Sequence, residues 1–407
     1  MNSTPVDGET HRPEAERVDS AIDSFLADLD GGNLSDRKIW EKQFDAGLAW
    51  VDFPIGLGGL GVSRAFRARV ARRLAEAGIP DSGERNGIGV VLAAPVLVSH
   101  GSREQQERYL RPLFIGEELW CQLFSEPGAG SDLASLATRA VAVGEDEYAI
   151  TGQKVWTTMG HTARWGLLCA RTDPDVPKHA GLSMFVLDMH APGVEVRPIR
   201  QLTGEAHFNE VFFEDAPVPV ANRIGEEDQG WAAIIATLAN ERATFAAEPL
   251  PQGGGAIAQV IQLWNEHHTD NLELADEYAK LWVRAEVVRL AELAAMSIDE
   301  SGVPGPAWSY LKVMRSELEQ QIYSFGVTLM GADGLQYPSY EYRQAARMDD
   351  GHGAGADVRT NFLFARSATI AGGTSEVQRT IIADRVLQLP REPNLEKNTP
   401  WRELRRS

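Results

Sequence analysis

Hydrophobic patterning changes character twice along this chain, and that change constrains the fold more than any single motif. Up to Leu119 the apolar residues recur at helical spacing. Residues 120–223 are instead short β-branched and aromatic runs bounded by Gly, Pro and Asp, and helical spacing returns after Gly225. Within the β block, ATRAVAV, the turn GEDE and YAITGQ form a hairpin pattern, followed by SMFVLDM, VEVRPI and NEVFFED. A chain of 407 residues exceeds one simple core. We therefore expect an α+β protein with a helical domain over 1–119, a β domain over 120–223 and a helical domain over 224–407. Strands and helices do not alternate, so a dinucleotide-binding doubly wound sheet is excluded. Any cofactor must be held by loops and helix ends.

One motif argues otherwise. VDFPIGLGGLG places Gly56, Gly58 and Gly61 as G-x-G-x-x-G before an amphipathic run, with Asp81 at the distance of a ribose-binding acid. Yet the preceding LAWVDFP is short, and Pro54 breaks it just before the first glycine. A structural turn is the better reading.

Composition narrows the function. A formal charge of −19 disfavours nucleic acid, whose binding depends on Lys and Arg neutralising phosphates. The 2 cysteines form no disulfide framework, the start MNSTPVDGETHRPEAER lacks the blocks of a signal peptide, and no apolar run has the length of a membrane span. A cytoplasmic protein is the simplest expectation. The 9 histidines include no H-E-x-x-H, so no metal site is expected.

Three loops beside the β block carry the candidate chemistry. LFSEPGAGSD, residues 123–132, can offer backbone N–H groups and a hydroxyl to a phosphate, or be a turn in which Ser131 or Asp132 caps a helix. Trp156-Thr157-Thr158 sets a flat aromatic beside two hydroxyls, suited to a planar heteroaromatic ring or simply to a core. IAGGTSE, residues 370–376, precedes the helical VQRTIIADRVLQL and suits a phosphate or a plain N-cap.

Taken together and in order, these stretches resemble the acyl-CoA dehydrogenase family. The likeness extends to PIGLGGLG, HGSREQQERYLRPLFIGEELWCQLFSEPGAGSDLASL, ITGQKVWTTMGHTARWGLLCARTDP, PGVEVRPIR, FNEVFFEDAPVP and IAGGTSEVQRTIIADRVLQLPREP, most of the chain. It implies an N-terminal helical domain, a middle β-barrel and a C-terminal four-helix bundle, with FAD as cofactor and a homo- or hetero-tetramer of homologous subunits. It implies a reaction in which an acyl-CoA loses its α-proton to a base and its β-hydrogen as hydride to the flavin, giving the trans-2-enoyl-CoA, with electrons passed to an electron-transferring flavoprotein. Carried over by position, Leu123, Phe124, Ser125, Ser131, Trp156, Thr157, Thr158, Gly372, Thr374 and Glu376 would contact FAD. Ser131, Arg242 and Gly373 would contact the substrate.

A thioester α-proton is weakly acidic, so the site needs a carboxylate base. One branch of the family carries it in the loop before the last helix, where this chain has Gly372; another, resembling the isovaleryl and long-chain enzymes, carries it in an E-R pair, here Glu241-Arg242. Trp231, Ile234, Ile235 and Leu238 mark an apolar helical face, and Glu241 lies 3 residues beyond Leu238 and 7 beyond Ile234. An acid on that face is desolvated and a stronger base. The bland alternative is a structural ion pair, and Glu248 is the fallback base. The backbone N–H near Gly372 would polarise the thioester carbonyl, and glycine there leaves room for a branched or bulky acyl group.

Two family features depart. The Arg-containing segment that reaches a neighbouring subunit's FAD reads AAEPLPQGGGAIAQ, without arginine, and the later Gly-Gly-x-Gly reads Gly331-Ala332-Asp333-Gly334. DDGHGAGAD resembles an added loop. The losses concern the trans half of the FAD site, which suggests a heteromer sharing FAD with a homologous partner. A flavin oxidase or oxygenase on the same fold, or a non-catalytic partner subunit, are the competing expectations.

Overall fold

The computed structural model describes residues 11–29, 34–244, 250–267, 271–298, 308–337, 339, 341–347, 356–393 and 396–404. The side chains of 11–12, 241–244, 267 and 296–298 lie outside that description. The chain divides into two compact units, Met1–Trp120 and Cys121–Ser407.

The first unit is helical: α1 (His11–Leu29), α2 (Asp36–Asp45), α3 (Arg67–Glu76), α4 (Ser82–Gly87), α5 (Ala94–His100) and α6 (Arg103–Phe114). Val18, Ile22, Phe25, Leu48, Val51, Val62, Val70 and Leu74 form one buried cluster. Ser102 and Gln105 cap α6 reciprocally, each side chain bonded to the other's backbone. LAWVDFP forms no strand; it turns, and the glycines that follow close the turn on itself. Gly56, Gly58 and Gly61 have φ of 83°, 83° and 63°, left-handed conformations that glycine adopts without strain. The backbone N–H groups of Leu57, Leu60 and Gly61 donate to Pro54, Val51 and Phe53, so they are spent inside the turn. Asp81 caps α4, its carboxylate accepting from Gly83 N at 2.8 Å. The G-x-G-x-x-G match is a turn, as its context suggested.

The second unit begins with the sheet: β1 (Trp120–Leu123), β2 (Arg139–Val143), β3 (Glu147–Thr158), β4 (Trp165–Arg171), β5 (Leu182–Asp188), β6 (Val194–Pro198), β7 (Glu205–Ala206), β8 (Phe208–Pro219) and β9 (Arg223–Ile224). The main sheet runs β6-β8-β3-β2-β4-β5-β9, with β1 on β4. The expected hairpin is β2–β3, in register from Arg139↔Thr151 to Val143↔Glu147. Strands β4 and β5 are buried almost throughout, which explains their continuous apolar runs. Tyr148, Ile150, Leu168, Phe185, Val211 and Phe213 are among the residues filling this core.

Helix α7 (Gly230–Thr244) packs on β5, and α8 (Ala256–His267), α9 (Leu272–Ile298) and α10 (Trp308–Leu329) pack together around Val260, Leu281, Leu318, Ile322 and Phe325. Strand β10 (Arg343–Gln344) then returns to pair in parallel with β7, a link that a two-residue strand could not signal in sequence. Helices α11 (Val358–Phe364) and α12 (Ser375–Ile381) lie against α10. The α+β order of helical domain, β domain and helical bundle is the order the patterning gave. Beyond the last helices the chain docks back on the β unit: Trp401 is buried, its Nε1 donates to Ser135 O at 3.3 Å, and the Arg171 guanidinium lies 4.3 Å from its ring centroid. Among the described residues, no helix is long and apolar enough to cross a membrane.

Candidate functional site

The loop 123–132 leaves β1 and folds into a tight turn in which Glu126 and Ala129 exchange backbone hydrogen bonds at 3.1 Å. Leu123 and Phe124 are buried, so the Phe124 ring lies in the interior, whereas Gly128, Gly130, Ser131 and Asp132 are exposed. A Cβ built on Gly128 or Gly130 meets nothing within 4 Å, so open space faces this stretch of backbone. The capping alternative is not realised. Asp132 precedes the short turn of helix Leu133–Ser135 without a side-chain cap and instead accepts from Ser135 Oγ and, at 2.7 Å, from Lys178 Nζ.

Behind the loop sits an ion pair that sequence reasoning missed. Lys154, on β3, is fully buried; its Nζ donates to Glu126 Oε1 at 2.8 Å and to Phe124 O at 2.9 Å. The Glu126 carboxylate also accepts from Ala137 N at 2.7 Å and Thr138 N at 2.9 Å. Burial pushes the Glu126 carboxyl up, but the Lys154 charge and these hydrogen bonds outweigh it and hold it below the usual range. Burial likewise draws Lys154 below the usual lysine range, against the pull of Glu126. The available signal was parity: Lys154 shares the inward alternation of Tyr148 and Ile150.

One residue further on, β3 bulges against β8 between Lys154 and Thr157. Trp156, at φ 60°, is turned outward and is 59% exposed, so it is not a core tryptophan. Its ring edge rests on Phe208, with centroids 6.0 Å apart. Thr157 is fully buried, Thr158 half-buried, and Asn209 Nδ2 donates to Thr157 O at 3.0 Å. Val155 N donates to Ser125 O at 2.9 Å, which ties the first candidate stretch to the residue just before the second.

The third stretch is fixed on the helical bundle. Gly372 and Gly373 have φ of 65° and 88°, and Thr374 is the N-cap of α12, its Oγ1 accepting from Val377 N at 3.2 Å. The cap is thus real. Lys312 Nζ on α10 donates to Gly373 O at 2.7 Å, and Gln378 Nε2 donates to Gly372 O at 2.9 Å. Glu376 is exposed, and its own backbone N–H followed by the Thr374 hydroxyl holds its carboxyl below the usual range. Among the described residues, no hydrogen bond joins 370–376 to 123–132 or 156–158.

Glu241 and Arg242 fall in the last turn of α7; their side chains, and all of Glu248, lie outside the described residues. The expected apolar face needs correction. Gly230, Ala233, Ile234 and Thr237 are buried, whereas Ile235 is 46% exposed. The buried row is set by packing on β5, for which small residues serve as well as large ones.

Buried polar atoms without a partner test whether a ligand fits. Among the described residues these include Thr157 Oγ1 and Asn209 Oδ1 beside Trp156, and Ser375 Oγ and Gln378 Oε1 beside Gly372. Unpaired buried groups are costly, and here they adjoin the second and third candidate stretches. With the outward Trp156 and the open backbone at Gly128 and Gly130, they suit a planar, hydrogen-bonding ligand that carries phosphate.

The chain belongs to the acyl-CoA dehydrogenase family: the family's N-terminal, middle and C-terminal domain models match residues 15–117, 121–216 and 228–387. It is 34% identical over 380 residues to acyl-CoA dehydrogenase IpdE1 of Mycolicibacterium smegmatis, covering 88% of this chain and 90% of that protein. It is 38% identical over 304 residues to acyl-CoA dehydrogenase FadE34 of Mycobacterium tuberculosis, covering 74% of this chain and 39% of that protein. A chain of the solved ChsE4-ChsE5 complex from Mycobacterium tuberculosis superposes with a TM-score of 0.68 at 26% identity, over 96% of this chain and 100% of that chain. The chain is an acyl-CoA dehydrogenase by its full domain set and by these relatives.

Proposed function

We propose that the protein oxidises a bulky acyl-CoA thioester to its trans-2-enoyl-CoA, with FAD held by residues 123–131, 156–158 and 372–376 and Glu241 as the base. FAD, when bound, supplies the hydride acceptor. The single observation that carries the reading is the bulge at Trp156, which turns a flat ring outward next to the loop held by Val155 N and Ser125 O. In this reading Trp156 and Thr158 flank the isoalloxazine, Ser125 and Ser131 meet its ring and the pyrophosphate, and Thr374 and Glu376 lie on the nucleotide side. Glu241 takes the α-proton, four residues along the helix from the buried Thr237. Backbone N–H groups near Gly372 polarise the thioester carbonyl, and Arg242 and Gly373 adjoin the substrate. Electrons leave to an electron-transferring flavoprotein.

A bulky acyl group is supported by glycine at position 372 and by likeness to the Tcur3481-Tcur3483 steroid ACAD, with a TM-score of 0.68 at 25% identity over 96% of this chain. Straight, branched and steroid-derived acyl-CoA esters, added anaerobically, will rank by how completely they bleach the flavin. Bleaching only by short straight chains contradicts the substrate class. Rapid oxygen consumption by the reduced protein contradicts the dehydrogenase in favour of an oxidase.

Two of the structural relatives are named as pairs of different chains, ChsE4-ChsE5 and Tcur3481-Tcur3483. With the altered trans motifs, this supports a heteromer in which a homologous subunit completes the FAD site. Expressed alone, the chain is expected to hold well under one FAD per subunit; full occupancy would rule the heteromer out.

A further inference from the structure

Lys154 is a lysine with no exposed surface, and a lone charge in such a place is strongly disfavoured. What compensates it is local: its ammonium bonds Phe124 O and the Glu126 carboxylate, while the next residue, Val155, donates its N–H to Ser125 O. Two consecutive residues of β3 therefore grip three consecutive residues of the loop. Glu126 extends the grip to Ala137 N and Thr138 N, the two residues just before β2. Immediately beyond Val155 the strand bulges and turns Trp156 outward; immediately beyond Glu126 the loop turns and opens at Gly128 and Gly130. Both walls of the site start from one buried charge.

We propose that Lys154 is a positioning residue that, through Glu126 and the Phe124 carbonyl, sets the spacing between the 125–131 backbone and Trp156, and so the geometry in which flavin is held. This rests on the FAD reading above. A pair retained only for stability behaves differently, because an apolar replacement of similar volume is often neutral or stabilising once both charges are removed. Spacing is not recovered that way, since neither apolar side chain bonds Phe124 O.

The test compares Lys154→Met with the double variant Glu126→Leu/Lys154→Met, reading thermal midpoint, FAD dissociation constant, and the visible circular dichroism and reduction potential of bound flavin. Lys154→Met leaves Glu126 buried and unpaired, and is expected to lower the thermal midpoint markedly. The double variant recovers most of the midpoint yet binds FAD roughly 10- to 100-fold more weakly, with shifted flavin dichroism. If Lys154→Met does not fold, the double variant decides alone. A double variant with the parent's FAD affinity, dichroism and potential overturns the positioning role while leaving the FAD reading intact. A parent protein that binds no FAD, alone or with a homologous subunit, overturns both.

Discussion

Two glycine-rich loops of this molecule invite the same interpretation and behave in opposite ways. In 54–61 a Cβ at Gly59 would lie 2.0 Å from Phe53 O, one at Gly58 would lie 2.7 Å from the Phe44 ring, and the amides of Leu57, Leu60 and Gly61 are already bonded within the turn. In 123–132 a Cβ at Gly128 or Gly130 would meet nothing within 4 Å. The first set of glycines lets the chain pack against itself, and the second leaves backbone facing open space. Spacing of glycines alone does not distinguish these uses. Their surroundings do.

Substitution sharpens the contrast. Gly59→Ala forces a backbone shift in a packed turn and is expected to cost at least ~3 kcal/mol, measured by denaturant unfolding. A loss under ~1 kcal/mol would mean the turn has slack that the packing denies. Gly130→Ala is expected to change stability by less than ~0.5 kcal/mol while weakening FAD binding by about tenfold, because the added methyl enters the space assigned to the pyrophosphate. Unchanged FAD affinity there would move the cofactor away from this loop. Only the second glycine should separate stability from ligand affinity.

Much of this was legible in the sequence, for identifiable reasons. The hairpin β2–β3 has period-two patterning and a short polar turn at 144–146, so its register follows from local chemistry. The three candidate loops stood out because glycine and hydroxyl residues cluster at the ends of patterned runs. The capping of α12 by Thr374 was equally local.

What was not legible depends on neighbours distant in the chain. Lys154 lies inside a strand pattern, and only its pairing with Glu126, 28 residues away, explains a buried ammonium. Trp156 reads as core until the bulge at Lys154–Thr157 turns it outward. The docking of Trp401 on Ser135 spans 266 residues. On α7 the apolar periodicity named Ile235, whereas packing on β5 buried Ala233 and Thr237 instead. Helical patterning locates a face to within a residue or so, and the surface it meets decides the rest.

The proposal turns on Glu241 removing the α-proton of an acyl-CoA beside a bound flavin. The direct measurement is an anaerobic titration of the flavin-loaded protein and of Glu241→Gln with an acyl-CoA that bleaches the parent. Glu241→Gln is expected to keep its flavin and bind the ester but to lose bleaching by at least about 10³-fold in rate. Bleaching at the parent rate would contradict it and shift the search for the base to Glu248.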